Sequence, residues 1–241
     1  MTGRIGVRNL YSGDAMLFSL LNGRLDFTSA IIEVLAILMI IFLVLPFHEW
    51  AHAFAALKLG DTSIKYRGRL TLNPLAHIDP FGALALLLFG IGWAKPVPVD
   101  PRNFKYPKLY MGITALMGPV ANVVAAMAGG LIFHIIYAID PYIFISDVGQ
   151  YVYLFLSYYI SINVTLAVFN LLPIPPLDGS KILFIFLPDK WVELFYKYQT
   201  YISFGLIALL WLNVLDVPLN FLSDKVTTFV MWITGLPFLL F

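Results

Sequence analysis

The chain has 241 residues, of which 60% are hydrophobic and only 12% charged, with a mean hydropathy of +0.85. A soluble domain needs more polar surface than that, so the class is a polytopic protein seated in a lipid bilayer. A net charge of +1 says nothing about a nucleic-acid partner, but no basic tract with interleaved aromatics is present and no such partner is expected, and the absence of cysteine excludes disulfides and thiolate chemistry.

Residues 1–27 read as an arm without a signal-peptide pattern, with an interfacial helix expected at 15–21. The first strong span covers 29–57, roughly 40 Å at 1.5 Å per residue, and stops at Gly60-Asp61. The polar stretch DTSIKYRGRLTLNPLAHIDP follows, and its Thr, Tyr and β-branched residues are compatible with short strands. FGALALLLFGIGWA, 81–94, is apolar but too short to cross, which predicts a re-entrant or half-inserted element. KPVPVDPRNFKYPK is Pro-rich and basic, hence a loop or edge strand.

A second span runs over 109–139 and ends at Asp140-Pro141. A third runs over 152–186 but is broken at PIPP, 173–176, because three prolines in four residues cannot stay helical. A fourth covers 198–215, and the last apolar stretch, 217–241, holds Asp224-Lys225, which puts a span there in doubt. The expected fold is an all-α polytopic membrane protein with about four to six transmembrane helices. A short strand or re-entrant element separates its first two spans. It forms one membrane-embedded domain over 1–241, with its core at about 29–188.

Lysine and arginine set the orientation. Lys58, Lys65, Arg67, Arg69, Lys95, Arg102, Lys105 and Lys108 lie between the first two spans, and Lys181, Lys190 and Lys197 follow the third. The opposite loops, 140–151 and 213–219, carry none. The basic loops are therefore expected on the cytoplasmic side, although Arg4, Arg8 and Arg24 of the N-terminal arm argue the other way.

LPFHEWAHAF, 45–54, places polar chemistry inside the first span. His48-Glu49-Trp50-Ala51-His52 fits H-E-x-x-H, and on a helix residues i and i+4 share a face. Two imidazoles there can grip one Zn²⁺, while Glu49 can take a proton from a zinc-bound water. An intramembrane Glu between two histidines is costly unless it is used. A hydrolytic zinc wants a third protein ligand and one open position. Among His77, His134 and Asp178, the best candidate is Asp178, set among apolar residues just after the proline break and opening a new half-helix. As a residue by itself it also reads as a plain N-cap. Asn170, eight residues earlier, reads equally as an oxyanion donor or as an interhelical hydrogen bonder. Asn163 and Asn122 read first as packing groups, with Gly118 allowing close helix approach, and His134 as a satisfied buried histidine.

Taken together, HEWAH, GRLTLNPLAHIDPFG, GWAKPVPV, MGPVAN and NLLPIPPLDGSKIL, spread over about 40–185, resemble the site-2 protease family of intramembrane zinc metalloproteases. The wording is closest to small prokaryotic members without PDZ or CBS domains. The resemblance implies zinc ligands at His48, His52 and Asp178 and a general base at Glu49. It implies an oxyanion or substrate-positioning role for Asn170, and it matches the Gly-Pro-x-x-Asn element to Gly118, Pro119 and Asn122. It further implies a zinc endopeptidase in the prokaryotic plasma membrane, whose partner is a transmembrane protein substrate cut near the cytoplasmic side. The rival reading is a metal-ion or proton transporter built on the same buried His/Glu cluster. Substrates are expected to carry helix-weakening residues near the cut, paired with an edge in the 61–108 region.

Overall fold

A computed structural model describes residues 27–89 and 92–238, so the arm and its expected interfacial helix lie outside the described residues. The first span begins as α1 (Phe27–Met39), passes through a π-helical turn (Ile40–Val44) and continues as α2 (Leu45–Lys58). Pro46 explains the turn. It has no N–H to return to the preceding turn, and the Leu45 N–H instead reaches back to the Ile40 carbonyl. Such wide turns concentrate at functional positions, and this one ends four residues before His48, the start of the H-E-x-x-H run.

Between the first two spans lie a 3₁₀ turn (Thr62–Arg67), the short α3 (Pro74–His77), α4 (Pro80–Phe89) and a second 3₁₀ turn (Pro101–Asn103). The strand signal here yields little. Among the described residues the β-pairing is one antiparallel bridge, Ile78 to Ala94. Prolines at 96, 98 and 101 lack the N–H that a ladder needs. The 81–94 element is a ten-residue helix, α4, too short to cross.

The second span is α5 (Pro107–Ile139), with 33 residues and roughly 50 Å of helix. One face carries a buried stripe of small residues: Gly112, Ala115, Gly118, Ala121, Ala125, Ala126, Gly129 and Gly130. In a membrane, where apolar contact with lipid is as good as with protein, such a stripe lets helices pack closely. α5 accordingly packs against α2, α6 (Asp147–Asn170), α7 (Asp178–Phe184) and α9 (Asp216–Gly235). Ser146 caps α6 by accepting from the Gly149 N–H. The break at 171–177 separates α6 from α7 where PIPP predicts it.

α8 (Asp189–Trp211) and α9 meet at a bend of 82°. Asp224 and Lys225 do not interrupt α9. Charged residues cost burial rather than helicity, and both sit on its exposed side. Among the described residues, Val34–Lys58, α5 and α6 are each long and apolar enough to cross a membrane, and the bent α8–α9 pair makes a fourth span if counted as one. The molecule is an integral membrane protein. Large apolar side chains such as Leu35, Val124, Phe155 and Phe204 face outwards, as lipid contact requires.

Candidate metal centre

The three candidate ligands named from the sequence, His48, His52 and Asp178, converge where α2, α5 and α7 meet. His48 and His52, one turn apart on α2, are both buried, and Asp178 opens α7 and is buried too. The Nε2 atoms of His48 and His52 lie 3.0 Å apart. Asp178 Oδ2 lies 3.3 Å from His48 Nε2 and 3.1 Å from His52 Nε2. Four ligands around zinc at 2.0–2.1 Å form a tetrahedron with edges of about 3.3 Å. The triangle of donors therefore matches one face of that tetrahedron. The donor set, two imidazoles and one carboxylate, is of a type zinc takes in hydrolases. The residues fit the ion.

Neighbouring groups hold the donors in place. His52 Nδ1 donates to the Thr114 carbonyl at 2.8 Å, which leaves its Nε2 lone pair for the centre. Gly118 of α5 sits directly against both rings. A Cβ there would come within 2.4 Å of His52 Nε2 and 2.6 Å of His48 Cε1, so no larger residue fits without displacing a donor. Gly179 plays the same part behind Asp178, since a Cβ would lie 2.2 Å from the Leu171 carbonyl oxygen. Glu49 is not one of the three donors. It is buried, and its Oε2 accepts from the Val97 N–H at 3.1 Å, bringing the 92–99 segment over the site. A cavity of about 220 Å³ opens beside His52, lined by Val97, Pro98, Val99, Met111 and Lys181 among others.

The profile of Peptidase family M50 matches residues 135–212, which include Asn170 and Asp178. The chain is 42% identical over 150 residues to "Putative zinc metalloprotease YwhC" of Bacillus subtilis (strain 168), covering 60% of this chain and 67% of that one. The chain belongs to peptidase family M50. It is also 36% identical over 140 residues to "Putative zinc metalloprotease Rip2" of Mycolicibacterium smegmatis, covering 55% of this chain and 49% of the relative. To the Rip2 of Mycobacterium tuberculosis (strain H37Rv) it is 32% identical over 141 residues, again spanning 49% of the relative. No solved structure matches it. Family and donor set together make this M50 protein a zinc metalloprotease.

The other singled-out residues are placed as follows. Asn170 ends α6, and its Nδ2 donates to the Leu166 carbonyl of its own helix rather than into the triangle. Asn163 likewise donates to Tyr159, while its buried Oδ1 and both amide atoms of the buried Asn122 lack partners among the described residues. His77 is buried and donates from Nε2 to the Thr71 carbonyl, and His134 hydrogen-bonds the Gly130 carbonyl. Neither joins the donors. The M50 site also uses groups that sequence reading passes over. The Thr114 carbonyl and the Val97 N–H are backbone atoms with no residue-type signature. Lys181, whose Nζ lies 3.2 Å from Asp178 Oδ1, could have been found from its i+3 spacing.

Proposed function

We propose that this M50 protein is an intramembrane endopeptidase that cuts transmembrane segments of other proteins near the cytoplasmic side of the prokaryotic plasma membrane. His48, His52 and Asp178 hold the zinc, and Glu49 is the general base. The observation that carries the reading is the donor triangle with a separate buried carboxylate beside it, where His48, His52 and Glu49 lie on a helix apolar enough to span and Asp178 comes from α7. A transport path would string its ligands along a channel, whereas these three donors converge on one point.

Bound zinc supplies a water made acidic enough to ionise near neutral pH and a Lewis acid for the scissile carbonyl. The protein does the rest. Glu49 is anchored through Oε2 by the Val97 N–H, which leaves Oε1 to take the proton of the attacking water and pass it to the departing amide nitrogen. The Thr114 carbonyl orients the His52 imidazole, and Gly118 packs against both rings. Asn170, at the break before α7, has the amide that would serve a substrate carbonyl, and for that role it must give up its hydrogen bond to the Leu166 carbonyl. Access from the cytoplasm is consistent with the basic loops. The Lys108–Asp189 ion pair at 2.7 Å ties the start of α5 to the start of α8, on the same side as the 58–108 loop.

The test is cleavage in vesicles. The purified protein is incorporated with a panel of single-span proteins, with and without a zinc chelator, and cut sites are mapped by mass spectrometry. The reading expects chelator-sensitive cuts inside the cytoplasmic half of the span. Cuts confined to soluble loops, or zinc flux without cleavage, overturn it.

A further inference from the structure

The two oxygens of Asp178 have different neighbours. Oδ2 faces both histidine Nε2 atoms, at 3.3 and 3.1 Å. Oδ1 meets the ammonium of Lys181 at 3.2 Å. Lys181 is three residues on, in the first turns of α7, and lines the same cavity as His52. Its neighbours there include Val97, Val99, Met111 and Ala115, apolar side chains that offer an ammonium no hydrogen bond. A lysine in such surroundings ordinarily extends its charge to water. This one is only about a third exposed and is directed at the oxygen that the histidines do not share.

A carboxylate can bind a metal through one oxygen or through both. For a hydrolase the difference matters, because each extra protein oxygen fills a position that water or the substrate carbonyl needs. We propose that Lys181 is a positioning residue that occupies Asp178 Oδ1 and so restricts Asp178 to one-oxygen ligation, keeping the fourth position of the zinc open. Groups that orient a metal ligand in this way affect metal binding or activity by about 10–100-fold when removed. The same contact explains why a lysine is placed beside a zinc ligand, where its charge alone would repel the metal. The proposal rests on Asp178 being a zinc ligand.

The test uses the full-length protein with Co²⁺ in place of zinc, because the cobalt visible spectrum reports coordination number without any need for turnover. Lys181→Met keeps the aliphatic stem and removes the charge. The expected result is one cobalt per chain, a weaker visible band typical of higher coordination, and a fall in cleavage of about 10–100-fold. Lys181→Arg, which restores a cationic donor, should return the spectrum towards that of the parent, and it also serves as the readout where Lys181→Met does not yield folded protein. A Lys181→Met spectrum identical to the parent overturns the proposal, whatever happens to activity. Asp178→Ala separates the two readings. Metal lost in Asp178→Ala with an unchanged Lys181→Met spectrum removes only the role of Lys181. Metal retained with an unchanged spectrum in Asp178→Ala removes the ligand assignment itself.

Discussion

Glu49 and the histidines around it are neighbours in sequence but are held by different parts of the molecule. His52 is fixed by the Thr114 carbonyl, both imidazoles are packed against Gly118 of α5, and Glu49 is held by the Val97 N–H of the loop. Their functions should therefore separate cleanly. Glu49→Gln keeps the shape and should retain zinc and fold while lowering proteolysis by about 10²–10⁴-fold. Zinc analysis beside a cleavage assay checks it, and near-normal turnover would remove Glu49 as the base. Gly118 should behave in the opposite way. Its substitution by Val leaves every polar group of the site in place but drives carbon into both imidazoles. Moving donors by about 1 Å costs activity of order 10²-fold, so Gly118→Val should lose zinc as well as activity in proportion. A Gly118→Val protein with full zinc and full activity would mean that α5 can shift to make room. The pairing of His48 and His52 was legible in sequence because i, i+4 spacing on a helix is a geometric statement, whereas Asp178 stood out only by its place after the proline break. Val97 and Thr114 were not legible, since what they contribute is backbone.

At the scale of elements, the loop between the first two spans is where sequence reading was least informative. Its Thr and Tyr content suggests strands, but its prolines leave one bridge and a series of turns. What orders it is a single buried carboxylate. Asp61, just past α2, accepts from the Asp100 N–H at 2.8 Å, Asn103 Nδ2 at 2.7 Å, and the N–H and hydroxyl of Ser63 at 3.1 and 2.6 Å. The staple closes the loop that carries Val97 to Glu49. Burial by itself would raise the pKa of Asp61, but the hydrogen bonds from Asp100, Ser63 and Asn103 outweigh it and hold the group below its ordinary 3.8. The sign follows from that direction. The folded state prefers the ionised form, so the contribution is complete above about pH 4 and is lost as pH falls through the lower folded value. Limited proteolysis within 62–103 should therefore be unchanged between about pH 7 and pH 5 and should rise below about pH 4. An acid-stable protease gives the readout. Asp61→Ala should show the raised cleavage already at neutral pH. Equal resistance in Asp61→Ala would mean that the apolar contacts of Ile64 and Phe104 with Ala53 and Ala56 order the loop unaided.

On the proposed function, the whole molecule poses a problem that only the substrate can solve. A helical peptide bond has its carbonyl engaged and is shielded by side chains, so the reacting segment must be extended, and in hydrocarbon each unpaired backbone group costs several kcal/mol. The span pattern that makes this a membrane problem was readable from hydropathy alone. The surface that answers it was not, because it depends on which loop groups are already engaged. Over 95–99 the protein has almost no donors left. The Lys95 N–H goes to the His77 carbonyl, that of Val97 to Glu49 and that of Val99 to the Val97 carbonyl, while Pro96 and Pro98 have none. A segment of this kind can pair with an incoming strand only by accepting. On the proposed function, the substrate must then supply its own N–H groups beside the cut, and two helix-weakening residues that sequence reasoning treats alike should part company. Glycine loosens the substrate helix and keeps its N–H, so added glycine near the cut should speed cleavage. Proline loosens the helix as well but removes a donor. It should speed cleavage when placed a turn or more away and slow it when placed within the paired stretch. Rates for a series with Gly or Pro walked through the span, set against a Leu parent of equal membrane insertion, measure the difference. Equal rates for Gly and Pro at every position would show that 95–99 is not the surface against which the substrate unwinds.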